Sequence, residues 1–306
     1  MSTPRPNFFI VGAPRCGTTA LYEYLSRHPD IYMPYHKEPV YFGADLKKRP
    51  RVFDEAAYLE LFNASHGERR LGEATVWYLY SQTAPAEIKA FCPDARIIIM
   101  LRNPVDMAYS LHSHMLFTAN EDIADFAEAL DAEAARRRGE RLPPYVKRPE
   151  GLQYRACGRY ATHVQRWIDE FGRDAVKIIL FDDFSADPAG VFHGVLEFLG
   201  VDSSFRPAFD VVNRNKGIRS ATLQRMYAAP AFFSITRRLP GPAYHVVKRV
   251  LRRLNMRRVE RPPLDPALRA SLAAEFADDV RTLGRIIGRD LSAWAPSMPD
   301  AGNSPA

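Results

Sequence analysis

The run Phe8 to Val11 closes in Gly12-Ala13-Pro14-Arg15-Cys16-Gly17-Thr18-Thr19. A short apolar run ending in a glycine and proline turn reads as a buried strand. Behind the turn, Ala20, Leu21, Tyr24 and Leu25 recur at helical spacing from Thr18 to Arg27, and His28-Pro29-Asp30 stops that helix. A strand that feeds a helix through a glycine-bearing loop opens a βαβ unit and points to a parallel sheet. The spacing is that of a phosphate-binding loop, G-x-x-x-x-G-K-[ST], with one change. Thr18 stands where the lysine belongs, and the basic residue has moved forward to Arg15. Backbone N–H groups of Gly17, Thr18 and Thr19 are then aimed at an anion, with the helix dipole behind them and two hydroxyls beside them.

The rest of the chain repeats the alternation. Ile31 to Met33 reads as a short strand, and Ala95 to Leu101 as the clearest buried one. Asn103 and Pro104 supply a helix cap and first turn, and that helix runs to about Phe117. Helices are predicted over Ile123 to Arg138, Leu152 to Phe171 and Gly190 to Leu199, and a strand over Val176 to Phe181. The predicted fold is α/β, a P-loop-type three-layer arrangement with a central, mostly parallel sheet flanked by helices. We expect one domain over residues 1–306, helical and more basic from about residue 220, with a frayed tail from about residue 296.

Composition narrows the partners. Apolar residues make up 46% and charged residues 25% of the 306, which excludes a disordered, fibrous or disulfide-framed chain. Lys plus Arg exceed Asp plus Glu by 42 − 36 = 6, a balance that favours anionic ligands or simply a soluble surface. No run of ~18 uncharged apolar residues suggests a membrane span. The apolar stretch before the first turn is too short for a secretory signal. Cys16, Cys92 and Cys157 form neither a metal pattern nor a disulfide framework, so a cytoplasmic location is the simplest expectation. Cys16, inside the loop, reads as a small buried side chain or as a reactive thiol. Nine Lys/Arg against one acid, Glu260, lie between Arg237 and Arg261. They suit a solvated helical face, or a peripheral contact with an anionic lipid surface. No reading motif for nucleic acid accompanies them. Oligomeric state has no signature here.

Two further elements bear on the ligand. Arg102 ends the strand ARIIIML, and Ser110 lies two turns into the next helix. Ligands of open α/β sheets sit at the carboxyl ends of the strands, so both side chains suit a second anion near the first. Asn213 to Arg219 is a short basic loop, in which Lys216, Gly217 and Arg219 allow close approach to a phosphate. Two anion sites, with no obvious metal-binding acid after the strand, point to a bisphosphorylated nucleotide.

These motifs together resemble a known family. FFIVGAPRCGTTALYEYLSRHPDIYMPYHKEPVYF resembles the 5′-phosphosulfate loop of sulfotransferases that use 3′-phosphoadenosine 5′-phosphosulfate (PAPS). ARIIIMLRNPVDMAYS resembles their 3′-phosphate motif, with Arg and Ser eight apart. GRYATHVQRW and NKGIR are similar to segments of the heparan sulfate N-sulfotransferase branch, and EFADDVRTLGRIIGRDLSAW resembles the end of bacterial members.

The resemblance implies that Arg15, Cys16, Gly17, Thr18 and Thr19 hold the phosphosulfate. It implies Arg102, Ser110, Lys216, Gly217 and Arg219 for the 3′-phosphate, Glu38 as general base, and His163 near the acceptor. The reaction implied is in-line transfer of a sulfuryl group to a hydroxyl or amine of a saccharide, or of a glycosylated or lipid-linked metabolite. Adenosine 3′,5′-bisphosphate leaves, and no metal is needed. Arg15 replaces the loop lysine of many members and cannot donate a proton, so a proton would come from Lys37 or water. Met107 replaces an arginine of related motifs, with little effect expected. Glu73 is the rival base. Trp77, Tyr78 and Tyr80 suit either a sugar or the core, and Arg155 and Arg159 suit an anionic acceptor. His28, His36, His112 and His114 show no metal spacing. The alternative is an atypical P-loop nucleotide kinase, and a third reading is a non-catalytic nucleotide-binding scaffold.

Overall fold

The computed structural model describes residues 4–46, 54–144, 146–210, 216–218, 256–258 and 261–294. The chain opens with β1 (Phe8–Gly12), α1 (Thr18–Leu25), β2 (Ile31–Tyr32), α2 (Glu55–Glu60), β3 (Arg70–Ala74) and α3 (Ala84–Phe91). It continues with β4 (Arg96–Leu101), α4 (Pro104–Phe117), α5 (Phe126–Asp131), α6 (Glu133–Arg137), α7 (Tyr154–Gly158) and α8 (Ala161–Phe171). Then come β5 (Val176–Leu180), α9 (Phe181–Ala186), α10 (Pro188–Leu199), β6 (Lys216–Ile218), β7 (Met256–Arg258) and α11 (Pro266–Ile287).

The predicted α/β fold is present. Five strands form a sheet in the order β2-β3-β1-β4-β5, with every pairing parallel. β1 is buried along its whole length, as is β4 after Arg96. Burial on both faces is why these strands read as continuous apolar runs rather than as alternations. By their contacts the described residues fall into two compact units. One holds the described residues within 1–107, 159–212 and 274–306; the other holds those within 108–158 and 213–273. The first unit contains the five-stranded sheet. The second contains α5, α6, α7 and an antiparallel ribbon of β6 and β7.

Several elements differ from the sequence reading. β3 was not anticipated, because Gly72 and Glu73 interrupt its apolar pattern. The helix expected over 123–138 begins only at Phe126, where Asp125 caps it by accepting from the Glu128 N–H at 2.9 Å. It breaks again between α5 and α6. The helix expected over 152–171 is interrupted at Arg159–Tyr160. Residues 216–218, expected in a loop, form β6, because backbone pairing with β7 satisfies their polar groups. Arg219, most of the basic stretch 237–261 and the tail lie outside the described residues.

Candidate active site

The chain leaves β1 for one side of the sheet, to β2 and β3, and returns to β4 on the other. The carboxyl end of β1 is therefore a topological switch point, where open α/β sheets leave a crevice for ligands. The loop from Gly12 to Thr19 sits there. A Cβ on Gly12 would collide with the Leu79 side chain, so only glycine lets the loop leave β1 this close. Gly17 has φ 89°, the left-handed conformation that glycine takes without steric cost. No side chain caps α1 and no acid lies in its first turn. Its N-terminus thus keeps the positive end of its dipole. Arg15 has φ 65°, unusual for a residue with a Cβ. Cys16 is buried, and its thiol donates to the Pro14 carbonyl at 3.4 Å. Burial pushes that thiol up to about 12, against the opposing pull of Arg102, Tyr160 and Arg15. Cys16 is a packing residue, not a reactive thiol.

Arg102 and the loop converge. The Phe181 ring, just past β5, packs on Gly17, where an added Cβ would meet it at 3.1 Å. The Arg102 guanidinium lies 4.6 Å from the centroid of the same ring. Its charge also reaches Cys16. The carboxyl ends of β1, β4 and β5 thus bring the loop, Arg102 and Phe181 to one place. Phe181 is a site residue that the sequence reading missed. Its signal was its position as the last residue of a strongly apolar predicted strand.

The segment after β2 closes on the same loop. The Lys37 ammonium donates to the Thr19 hydroxyl at 2.8 Å and lies 5.7 Å from the centroid of the Tyr22 ring. The Tyr22 hydroxyl in turn donates to the Pro34 carbonyl. Glu38 follows at φ 60°, with its N–H held by the Ala74 carbonyl at 3.1 Å, and Val40 is also left-handed at φ 53°. Such conformations cost of order 1–3 kcal/mol each and concentrate where function demands them. Ala74 ends β3, so the sheet itself fixes the Glu38 backbone.

Glu73, the other carboxylate weighed as a base, is buried in the sheet. It is only 1% exposed. Its carboxylate accepts from the Tyr58 hydroxyl at 2.5 Å and from the Thr75 hydroxyl at 2.6 Å. Tyr78 is likewise core, its hydroxyl accepting from the Phe42 N–H at 3.1 Å. Tyr80 is half-buried, 5.8 Å from Trp77 between ring centroids, and meets the His163 ring edge-on at 5.1 Å. Burial, and then the Arg166 charge 3.3 Å away, lower His163 to about 4. The imidazole is neutral at pH 7.

In the second unit Ser110 is buried, and its hydroxyl accepts from Arg261 at 3.1 Å. The Arg261 guanidinium lies 5.0 Å from the Tyr109 ring centroid. The sequence reading missed Arg261 as a partner of Ser110. It closes the basic stretch, but nothing in the chain announces a contact across 151 residues. Lys216 and Gly217 pair with Arg258 and Arg257 in the β6–β7 ribbon. Arg155 is engaged by Glu133 at 3.1 Å and by the Leu130 carbonyl at 3.0 Å.

Comparison with known proteins bears on the family. The family model described as Sulfotransferase domain matches residues 5–231. The bifunctional heparan sulfate N-deacetylase/N-sulfotransferase 4 of Mus musculus is 30% identical over 217 residues, 64% of this chain and 22% of that protein. Carbohydrate sulfotransferase 15 of Homo sapiens is 28% identical over 257 residues, 64% of this chain and 44% of that protein. The chain therefore spans less than half the length of these curated relatives. A crystal structure of a sulfotransferase from Alicyclobacillus acidocaldarius superposes with a TM-score of 0.72 at 36% identity, covering 95% of this chain and 99% of that one. The loop at the switch point, the neighbouring Arg102 and these matches lead to one conclusion: the chain belongs to the sulfotransferase family.

Proposed function

We propose that this sulfotransferase moves a sulfuryl group from PAPS to a hydroxyl or amine of a saccharide, or of a glycosylated or lipid-linked metabolite. The observation that carries this reading is the Phe181 ring packed on Gly17 of the loop and beneath Arg102, which sets two anion-binding elements side by side. A donor with a phosphate at each end of its adenosine calls for that pairing. Arg15, Cys16, Gly17, Thr18 and Thr19 are assigned to the phosphosulfate, mainly through backbone N–H groups at the α1 N-terminus. Arg102 is assigned to the 3′-phosphate. The sequence resemblance adds Ser110, Lys216, Gly217 and Arg219, and the Arg261 bond to Ser110 supplies a cation where that reading puts an anion. The names of the curated relatives support a saccharide acceptor.

Glu38 is the proposed base. The acceptor's lone pair attacks sulfur as its proton passes to the Glu38 carboxylate, and the bond from sulfur to the bridging oxygen breaks. Negative charge that grows on that oxygen is where a fixed cation lowers the barrier most. His163, neutral and as weak a base as a carboxylate, suits acceptor positioning better than proton removal.

The test is Glu38→Gln, with ³⁵S-labelled PAPS as donor and saccharide fractions as acceptors. Binding of adenosine 3′,5′-bisphosphate stays within about twofold of wild type, while transfer falls about 10²–10⁴-fold, the range of a lost general base. Arg102→Ala instead weakens nucleotide binding first. A Glu38→Gln protein that transfers label at the wild-type rate rules out the base role.

A further inference from the structure

Arg15 leaves a chemical gap. A guanidinium stabilises charge but holds its proton at any working pH. A leaving oxygen that must be protonated needs a second cation that can give a proton up. Lys37 stands where such a group is required. Its ammonium is one hydrogen bond, 2.8 Å, from the Thr19 hydroxyl, in the hydroxyl position that closes a phosphate-binding loop. The groups that act on it electrostatically are Glu38, Glu23 and Arg15. Its segment is anchored at both ends, by Tyr22 on the Pro34 carbonyl and by the Glu38 N–H on Ala74. The ammonium thus joins the base-bearing segment to the loop.

We propose that Lys37 contacts the bridging oxygen of the bound donor and serves as the general acid of sulfuryl transfer. The inference rests on the functional reading above and adds a residue to it. As the acceptor atom bonds to sulfur, the electron pair of the breaking bond stays on the bridging oxygen. Lys37 passes one proton to that oxygen, and Glu38 takes one from the acceptor. Exchange with water restores both groups. Burial, only partly offset by Glu38 and Glu23 and reinforced by Arg15, holds Lys37 below the ordinary lysine value of 10.5. That direction eases proton release, as general acids working near neutral pH require.

The test uses the full chain and two variants, Lys37→Gln and Lys37→Arg, with thermal unfolding as a check that each folds. Adenosine 3′,5′-bisphosphate binding is measured by calorimetry from pH 7 to 10. Release of ³⁵S from labelled PAPS to water, with no acceptor present, is followed in parallel. Wild-type affinity falls as the pH rises and Lys37 loses its proton. Lys37→Arg stays flat over that range. Lys37→Gln binds about 10–100-fold more weakly at pH 7, the scale of a lost charge-assisted hydrogen bond. Lys37→Arg keeps the affinity but loses at least tenfold in ³⁵S release, because a fixed charge replaces the cation and not the acid. Equal affinities for wild type and Lys37→Gln overturn the contact, and full ³⁵S release by Lys37→Arg overturns the proton role. Failure of the wild-type protein to bind the bisphosphate overturns the underlying functional reading as well.

Discussion

At the scale of single residues, the charge state of His163 bears on stability. Its ring packs against Tyr80 and faces the Arg166 guanidinium, so protonation would put a second cation into a half-buried site. The folded value, about 4, is below the 6.5 of an exposed imidazole. Between these values the unfolded chain binds a proton that the folded chain refuses, so the contribution is present above pH 6.5 and lost as the pH falls toward 4. At ~1.4 kcal/mol per pKa unit this is about 3 kcal/mol, reduced by solvent at the ring edge to about 2. His163→Asn removes the titration. Its unfolding free energy, measured by urea from pH 7 to 4, falls about 2 kcal/mol less than that of wild type. Parallel profiles would show that the ring is already solvated. The strained backbones of Arg15 and Glu38 likewise store conformational energy, one in the loop and one in the segment that closes on it.

At the scale of elements, a buried carboxylate staples part of the second unit. Glu121, in the loop before α5, forms a bidentate pair with Arg136 of α6 at 2.7 and 2.6 Å, and both side chains are fully buried. Tyr154 of α7 donates to the same carboxylate at 2.7 Å, and the N–H groups of Asp122 and Ile123 complete it. Burial alone would raise Glu121, but the bonds from Arg136, Ile123 and Tyr154 outweigh it and hold the carboxyl below its ordinary value. Glu121→Gln removes the buried partner of Arg136 and leaves it only the exposed Asp122 carboxylate at 3.8 Å, which costs about 3–5 kcal/mol. Chemical denaturation at pH 7 measures this, and a loss under about 1 kcal/mol would show that water replaces the carboxylate. The wild-type advantage is present above the ordinary carboxylate range and shrinks as the pH falls through the lowered value. Elements also show where sequence reading works. β1, β4, β5 and α1 were legible because burial on both faces, or a clean helical stripe, wrote itself into local pattern. The break before α8 was not, because the Asp279 carboxylate that takes the Tyr160 N–H at 2.7 Å comes from 119 residues away. β3 was hidden for a similar reason, since the partners that make Glu73 tolerable in a core strand lie partly outside its own window. The candidate loop divides the same way: its own spacing is local, whereas Phe181 reaches it only through the fold.

At the scale of the whole molecule, the anion-binding features should act together as ligand-dependent stability. An excess of six positive charges and an uncapped α1 N-terminus carry repulsion that a doubly phosphorylated nucleotide relieves on binding. A ligand that binds only the folded chain adds about 2.7 kcal/mol at 100 times its Kd. Adenosine 3′,5′-bisphosphate should therefore raise the midpoint of thermal unfolding with a logarithmic dependence on its concentration. Adenosine 5′-monophosphate, which lacks the phosphate assigned to Arg102, should need a much higher concentration for the same rise. ATP with Mg²⁺ should do least, because Thr18 occupies the position of the lysine that grips a γ-phosphate. No helix among the described residues is long and apolar enough to cross a membrane. A larger shift with ATP and Mg²⁺ than with the bisphosphate would reverse the assignment of the two phosphate sites and favour phosphoryl over sulfuryl chemistry. Equal shifts from the bisphosphate and the monophosphate would instead remove Arg102 from the nucleotide and leave the loop as the sole anchor.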